Sequence, residues 1–255
     1  MSPTVNASFD PAPVPSAEDL VRLWPLSWRR PARERVVSLL VALDGPAALD
    51  YPLGSRNQRL LALHQALVRR PVEARVTCPS CRTDNEFALP VRAVAELPRA
   101  EADAVVRLSV EGVELTFRLP VLADLIPVAG RPPADGLHAL ARDTCLAPRI
   151  PRLGPDALDR LADAWEALDP AGSMRVDLLC AGCGREIAAD ADPADFVARD
   201  LDLLVDELMR EVDVIAGGYG WTEEAILAMP SPRRRRYVEL IVEGRAPARR
   251  AAAVR

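Results

Sequence analysis

Two Cys-x-x-Cys pairs, Cys78-Pro79-Ser80-Cys81 and Cys180-Ala181-Gly182-Cys183, constrain this chain more than any other feature. Each closes an alternating apolar run, Val72, Ala74 and Val76 before the first, Met174, Val176 and Leu178 before the second, and a short return strand follows each. A two-residue spacer lets both thiolates of one tight turn reach the same metal, and four thiolates suit a tetrahedral zinc ion. The repeated unit therefore predicts two zinc knuckles sharing one structural Zn2+ per chain, held by Cys78, Cys81, Cys180 and Cys183. The 98 residues between Cys81 and Cys180 exceed what a simple ribbon uses. A subdomain is thus expected between its halves, and the metal would clip remote parts of the chain together.

Other roles for these cysteines fit less well. A catalytic dithiol should open a helix after a strand, whereas strand-like sequence follows both pairs. A catalytic zinc needs an open position for water, which four cysteines do not leave. Cys145 has no partner motif and reads as a buried free thiol.

A net charge of −5 argues against a protein that coats nucleic acid or an anionic membrane, since both reward a strongly basic balance. All 32 basic residues are arginine, so arginine abundance by itself carries little functional information. No apolar run reaches the roughly 20 residues that span a bilayer, and the N-terminus lacks a charged segment followed by an apolar one. A reducing bacterial cytoplasm is the expected location, where Cys-x-x-Cys pairs serve as metal ligands more often than as disulfides. Gly-rich phosphate loops, HExxH and nucleophile elbows are missing from the sequence, and His64 and His138 are its only histidines. The chain is therefore expected to be neither an enzyme nor a binder of a small-molecule substrate.

The expected fold class is α+β: a split four-cysteine zinc ribbon with an inserted β-hairpin and helical subdomain, flanked by N-terminal helices and a C-terminal helical region. Residues 1–15, rich in proline, are expected to be disordered. Helices over 16–71 follow: a short one capped by Ser16 or Asp19, one opening at Pro31 and stopped at Asp44-Gly45-Pro46, and one from Ser55 to about Arg69. His64, alone among the leucines of that third helix, reads as a core residue. The ribbon halves occupy 72–92, with a return strand at 87–91, and 174–191. Between them, over 93–173, Val106, Leu108 and Val110 alternate before Glu111-Gly112, and Val113, Leu115, Phe117 and Leu119 after it, which predicts a β-hairpin. Helical pieces are expected at 121–126, 135–145 and 155–168, the last burying Leu158, Leu161, Trp165 and Leu168. The C-terminal helices span 192–243 and a disordered tail 244–255. The first of these helices, over 193–216, has an apolar stripe of Val197, Leu201, Leu204, Leu208, Val212 and Ile215. Its acidic remainder reads as a solvated face, ahead of a docking surface, and Gly217-Gly218 as its break.

After that break, Thr222 caps a short helix stopped at Pro230, and Ser231-Pro232 opens another with Arg233, Arg234, Arg235 and Arg236 in its first turn. Four cations at the positive end of a helix dipole call for an anionic neighbour. Internal carboxylates, a partner protein and nucleic acid all remain open as that neighbour. Tyr219-Gly220-Trp221 with Glu223, Ile226, Leu227 and Pro230, followed by the arginines and Tyr237, Leu240 and Ile241, resembles the C-terminal signature of the T-even-phage-type baseplate protein family of contractile tails and contractile injection systems. The resemblance covers most of residues 17–243 and extends to the two knuckles and to Gly54-x-Arg56 ahead of a leucine-rich helix. The second knuckle departs in carrying Ala181-Gly182 where a proline is common, and Ser231-Pro232 lengthens the last turn.

The resemblance implies a non-enzymatic, zinc-stabilised structural or hub-assembly (chaperone) protein of a phage-tail-like baseplate. Its partners would be other baseplate and tail proteins of the same gene cluster. Trp221, Glu223, Arg233, Arg234, Arg235, Arg236 and Tyr237 are the residues expected to meet them. Whether the protein stays in the assembled particle or leaves it is open. The alternative is a nucleic-acid-binding zinc-ribbon and helix-turn-helix regulator; a thiol redox enzyme ranks third.

Overall fold

The computed structural model describes residues 14–24, 31–68, 70–101, 103–148 and 152–252, with side chains to 244. Most of the expected disordered N-terminus, and Arg69 at the expected end of the third helix, lie outside the described residues. In chain order come α1 (Ala17–Leu23), α2 (Ala32–Asp44), a 3-10 turn (Pro46–Asp50) and α3 (Leu53–Leu67). Next are the hairpin β1 (Glu73–Thr77) and β2 (Asp84–Ala88), then α4 (Val91–Ala95), β3 (Val105–Val110), β4 (Val113–Arg118), α5 (Leu122–Leu125), α6 (Pro133–Thr144), β5 (Cys145–Ala147) and α7 (Pro155–Leu168). The hairpin β6 (Arg175–Leu179) and β7 (Glu186–Asp190) leads into α8 (Pro193–Tyr219), α9 (Glu223–Leu227) and α10 (Ser231–Ala252). The chain thus mixes helices with small antiparallel sheets.

Helix α8 is the axis of the largest core. Val197, Leu201, Val205, Leu208, Val212 and Ile215 are buried on it at helical spacing and pack with Leu20, Val36, Leu39, Leu60 and Ile226. Burying side chains of this kind stabilises by about 1.5–3 kcal/mol each, which explains why a helix this acidic has one fixed orientation. The expected solvated acidic face is only partly found. Asp200 and Glu211 are buried and Asp202 is half-buried. Asp200 accepts from His64 Nε2 at 2.8 Å, Asp202 takes a bidentate bond from Arg35 and one from Trp24 Nε1, and Glu211 pairs with Arg234. Charge patterning cannot tell a solvated carboxylate from one whose cation comes from another helix.

Two boundaries near the C-terminus differ from expectation. Helix α8 passes through Gly217-Gly218 and ends at Gly220, whose backbone is left-handed at φ 70°. Gly218 serves close packing instead: a Cβ there would lie 2.6 Å from Ile241 Cδ1 on α10. Helix α10 in turn runs to Ala252, past the residue 244 at which a disordered tail was expected.

Helix α3 is buried on its polar side as well as its leucine side. Arg56 pairs with Asp192 (3.0 Å), Arg59 with Asp44 (2.7 Å), and Gln58 Nε2 donates to the Val94 and Leu97 carbonyls. Asn57 Nδ2 donates to Ala171 O (2.8 Å). These bonds tie α2, α4, α8 and the entry to β6 to one helix. At its start the Gly54 N–H donates to Asp169 Oδ2 (2.7 Å), so a carboxylate from 115 residues away helps cap the helix. Burial pushes that Asp169 carboxyl above the usual range, against the lowering effect of the Gly54 bond. A Cβ on Gly54 would lie 2.0 Å from Asp169 Oδ1. Gly54→Ala is therefore expected to destabilise by about 3 kcal/mol, read as a lower urea midpoint at unchanged slope. At an unencumbered helix site the same change would stabilise by about 1 kcal/mol, so the sign of the shift decides.

The inserted region has its own core. Strands β3 and β4 pair antiparallel, and Leu108, Leu115 and Phe117 pack on Leu158, Leu161 and Trp165 of α7. Trp165 Nε1 donates to Arg118 O (3.1 Å). Leu168 is exposed, unlike its expected partners on that face. Cys145, expected to end a helix, instead opens β5 on the edge of β4, and α4 begins at Val91, where the return strand was expected to end. Both pieces are too short for periodicity to distinguish.

Candidate functional site

The two knuckles are the same local structure 102 residues apart. In each, the first cysteine follows the last strand pair, Thr77↔Asp84 in one and Leu179↔Glu186 in the other. Cys78 N–H donates to Thr83 O (2.9 Å) and Cys180 N–H to Arg185 O (2.8 Å). Arg82 N–H and Gly184 N–H return to the Cys78 and Cys180 carbonyls (3.0 and 2.8 Å). Arg82 and Gly184 both adopt left-handed backbone, φ 65° and 70°. Such a turn leaves its two sulfurs facing one point, with the second cysteine exposed and the first buried.

Tertiary packing brings the two turns together. All four Sγ atoms lie within 4.8 Å of one another, with Cys78–Cys183 at 3.8 Å and Cys81–Cys180 at 3.5 Å. Sulfurs at the corners of a tetrahedron about 2.3 Å from its centre are about 3.8 Å apart, while a disulfide needs about 2.05 Å. The group is thus arranged to hold a metal ion. Asn85 locks the pairing: its Oδ1 accepts from Ala181 N–H (2.8 Å) and its Nδ2 donates to Thr83 O (2.9 Å), with Cys180 Sγ at 3.8 Å. Arg185 Nη1 donates to Ser80 Oγ across the same seam (3.0 Å). Sequence reasoning passed over Asn85; its place next to a knuckle and inside an alternating strand was the available signal.

Cys81, Cys180 and Cys183 are shifted in different directions. Thr83, through side chain and backbone, holds Cys81 down to about 6, so this sulfur is a thiolate at neutral pH. At Cys180 burial raises the pKa, but the Cys183 and Gly182 N–H groups more than offset it and the net shift is downward. Cys183 is pushed up to about 11: an Arg185 backbone bond lowers it, and the sulfurs around it together with burial outweigh that bond. A cation placed among them would stabilise all four thiolates at once, releasing protons on binding.

The C-terminal signature forms a second feature. Tyr219 and Trp221 stack with centroids 4.9 Å apart, and Tyr237 meets both edge-on at 5.6 and 5.0 Å. Tyr219 is 43% and Trp221 38% exposed. Arg233 lies 5.7 Å over the Tyr237 ring and donates to its hydroxyl. The other arginines pair internally. Arg234 is buried against Glu211 (2.7 Å), Arg235 reaches Glu207 (3.5 Å) and Arg236 reaches Glu239 (2.9 Å). Arg234 is therefore a structural residue, closed to the partner expected for it. Glu223 is exposed in the first turn of α9, which Thr222 caps.

Among the described residues no helix is long and apolar enough to cross a membrane. The chain matches no protein-family model, no curated protein and no solved structure.

Proposed function

We propose that this chain is a structural or assembly protein of the baseplate of a phage-tail-like contractile injection system, stabilised by one zinc ion and acting by binding other baseplate proteins. The observation that carries this reading is the cluster of exposed Tyr219 and Trp221 on half-buried Tyr237, beside Arg233. Partly exposed Trp, Tyr and Arg, held in fixed mutual geometry, are the composition and rigidity of binding hot spots. The cluster coincides with the sequence signature that resembles the baseplate family. Zinc fits the cysteines because an all-thiolate tetrahedral site selects it over harder cations. The two hairpins then form a split ribbon around an inserted subdomain. No catalytic step is assigned, because four sulfur ligands leave the metal no open position.

The alternative is a nucleic-acid-binding regulator. A phosphate-binding surface needs accessible cations, and Arg234 is withdrawn from it by burial against Glu211, while the exposed Arg235 and Arg236 are shared with Glu207 and Glu239. Affinity-tagged protein co-expressed with its genomic neighbours is expected to capture a tail protein in fixed stoichiometry. Trp221→Ala should lower that capture by about 30-fold, the effect of removing one hot-spot side chain. Salt-sensitive DNA binding and no captured tail protein would support the regulator instead.

A further inference from the structure

A cleft of about 530 Å³ opens where α2, the first turn of α3, α5 and both ends of the β6–β7 hairpin converge. Its wall is largely aliphatic, with Val37, Leu53, Leu125 and Met174, and Ile126 at its edge is 53% exposed. Arg56 lines it with a side chain only 4% exposed. Its Nη1 donates to Asn57 Oδ1 (2.9 Å) and its Nη2 pairs with Asp192 (3.0 Å), but its Nε has no partner among the described residues. That Nε is closed to solvent, so the guanidinium holds Asn57 and Asp192 in place and offers no donor to an occupant.

Charge at the cleft is unbalanced in one direction. Both of its cations, Arg33 and Arg56, are committed to Asp192, each at 3.0 Å. Glu34 and Asp190 also line it, are exposed, and have no ion pair among the described residues. On a chain that works by binding proteins, an aliphatic wall beside two exposed carboxylates without an ion pair describes the site of an apolar, basic peptide segment. We infer that the cleft receives a segment of a partner protein in which a large aliphatic or aromatic side chain adjoins a lysine or arginine. The apolar side chain fills the wall and the cation meets Glu34 and Asp190. An apolar small molecule leaves the carboxylates unused, and an acidic segment is repelled by them. The inference rests on the protein-binding reading and adds a second surface to it. That surface adjoins the start of α8 while the aromatic cluster adjoins its end, and the 27 residues of that helix span about 40 Å.

The test is selection of a displayed library of random twelve-residue peptides on the full, zinc-loaded chain, followed by fluorescence anisotropy with the enriched sequences. Enriched peptides should combine Lys or Arg with Leu, Ile, Phe or Trp. Their binding should vanish in Ala129→Trp, which fills the cleft from an exposed position. It should weaken on the order of fivefold in Glu34→Gln/Asp190→Asn, the effect of two exposed ion pairs. The inference is overturned by no enrichment, by acidic or purely apolar winners, or by a set of winners none of which loses binding in Ala129→Trp. Trp221→Ala should leave peptide affinity unchanged while lowering capture of the tail protein, so failure at the cleft and failure of the docking reading are separately visible.

Discussion

Cys180→Ser is expected to abolish metal binding and to release both knuckle hairpins, the largest effect of any single substitution in this chain. Around the sulfurs the local core is small: Cys78, Cys180 and Ile187 are buried, with Val76 and Leu178 packed against them. Each hairpin is an isolated two-stranded sheet, a structure that is marginal in water by itself. The free energy of binding structural zinc, about 10–16 kcal/mol in small zinc domains, acts as folding free energy at such a site. Native mass spectrometry should find one zinc per wild-type chain and none in the variant. Amide exchange should lose protection over 72–92 and 174–191, while the α8 core keeps it, because that core makes no use of the sulfurs. Chelation of the wild type should do the same, and so should acid, since metal binding requires thiolates. A Cys180→Ser protein that holds metal with unchanged hairpin protection would sink the zinc assignment.

Arg234→Ala should detach α10. The Arg234 and Glu211 side chains are 5% and 9% exposed and lie 2.7 Å apart, and Arg234 also donates to the Met229 carbonyl. Removing Arg234 leaves the buried Glu211 carboxylate with only the exposed Arg235, 3.9 Å away, at a cost of about 3 kcal/mol. Replacing both with apolar residues, Arg234→Met with Glu211→Leu, should recover most of that loss, because the uncompensated charge is gone. Thermal unfolding of the two variants checks this, and equal destabilisation by the single and double changes would refute it. Arg233→Ala, one residue away, should leave unfolding unchanged and weaken capture of a tail protein instead. Adjacent arginines thus separate the structural role from the surface role.

Local chemistry was legible in the sequence wherever it depends on neighbours along the chain. The paired knuckles, the Ser16 and Thr222 caps, the β3–β4 hairpin and the stripe on α8 follow from spacing and periodicity, and the structure has all of them. The resemblance at 219–241 pointed to the residues that become the aromatic cluster, though their rings meet only because α10 packs against the end of α8. The partners of charged groups depended on the fold. Asp200, Asp202 and Glu211 read as a solvated face because the side chains that bury them, His64, Arg35 and Arg234, come from three other helices. For the same reason Gly218 read as a helix break, when what it answers to is Ile241 across a helix–helix contact. Sequence by itself determined which residues could ligate, cap or alternate, since those properties belong to residue type and spacing. Tertiary structure alone decided which charges are buried, which carboxylate each arginine meets and where the cleft lies, because each depends on atoms that only folding brings within a few ångströms.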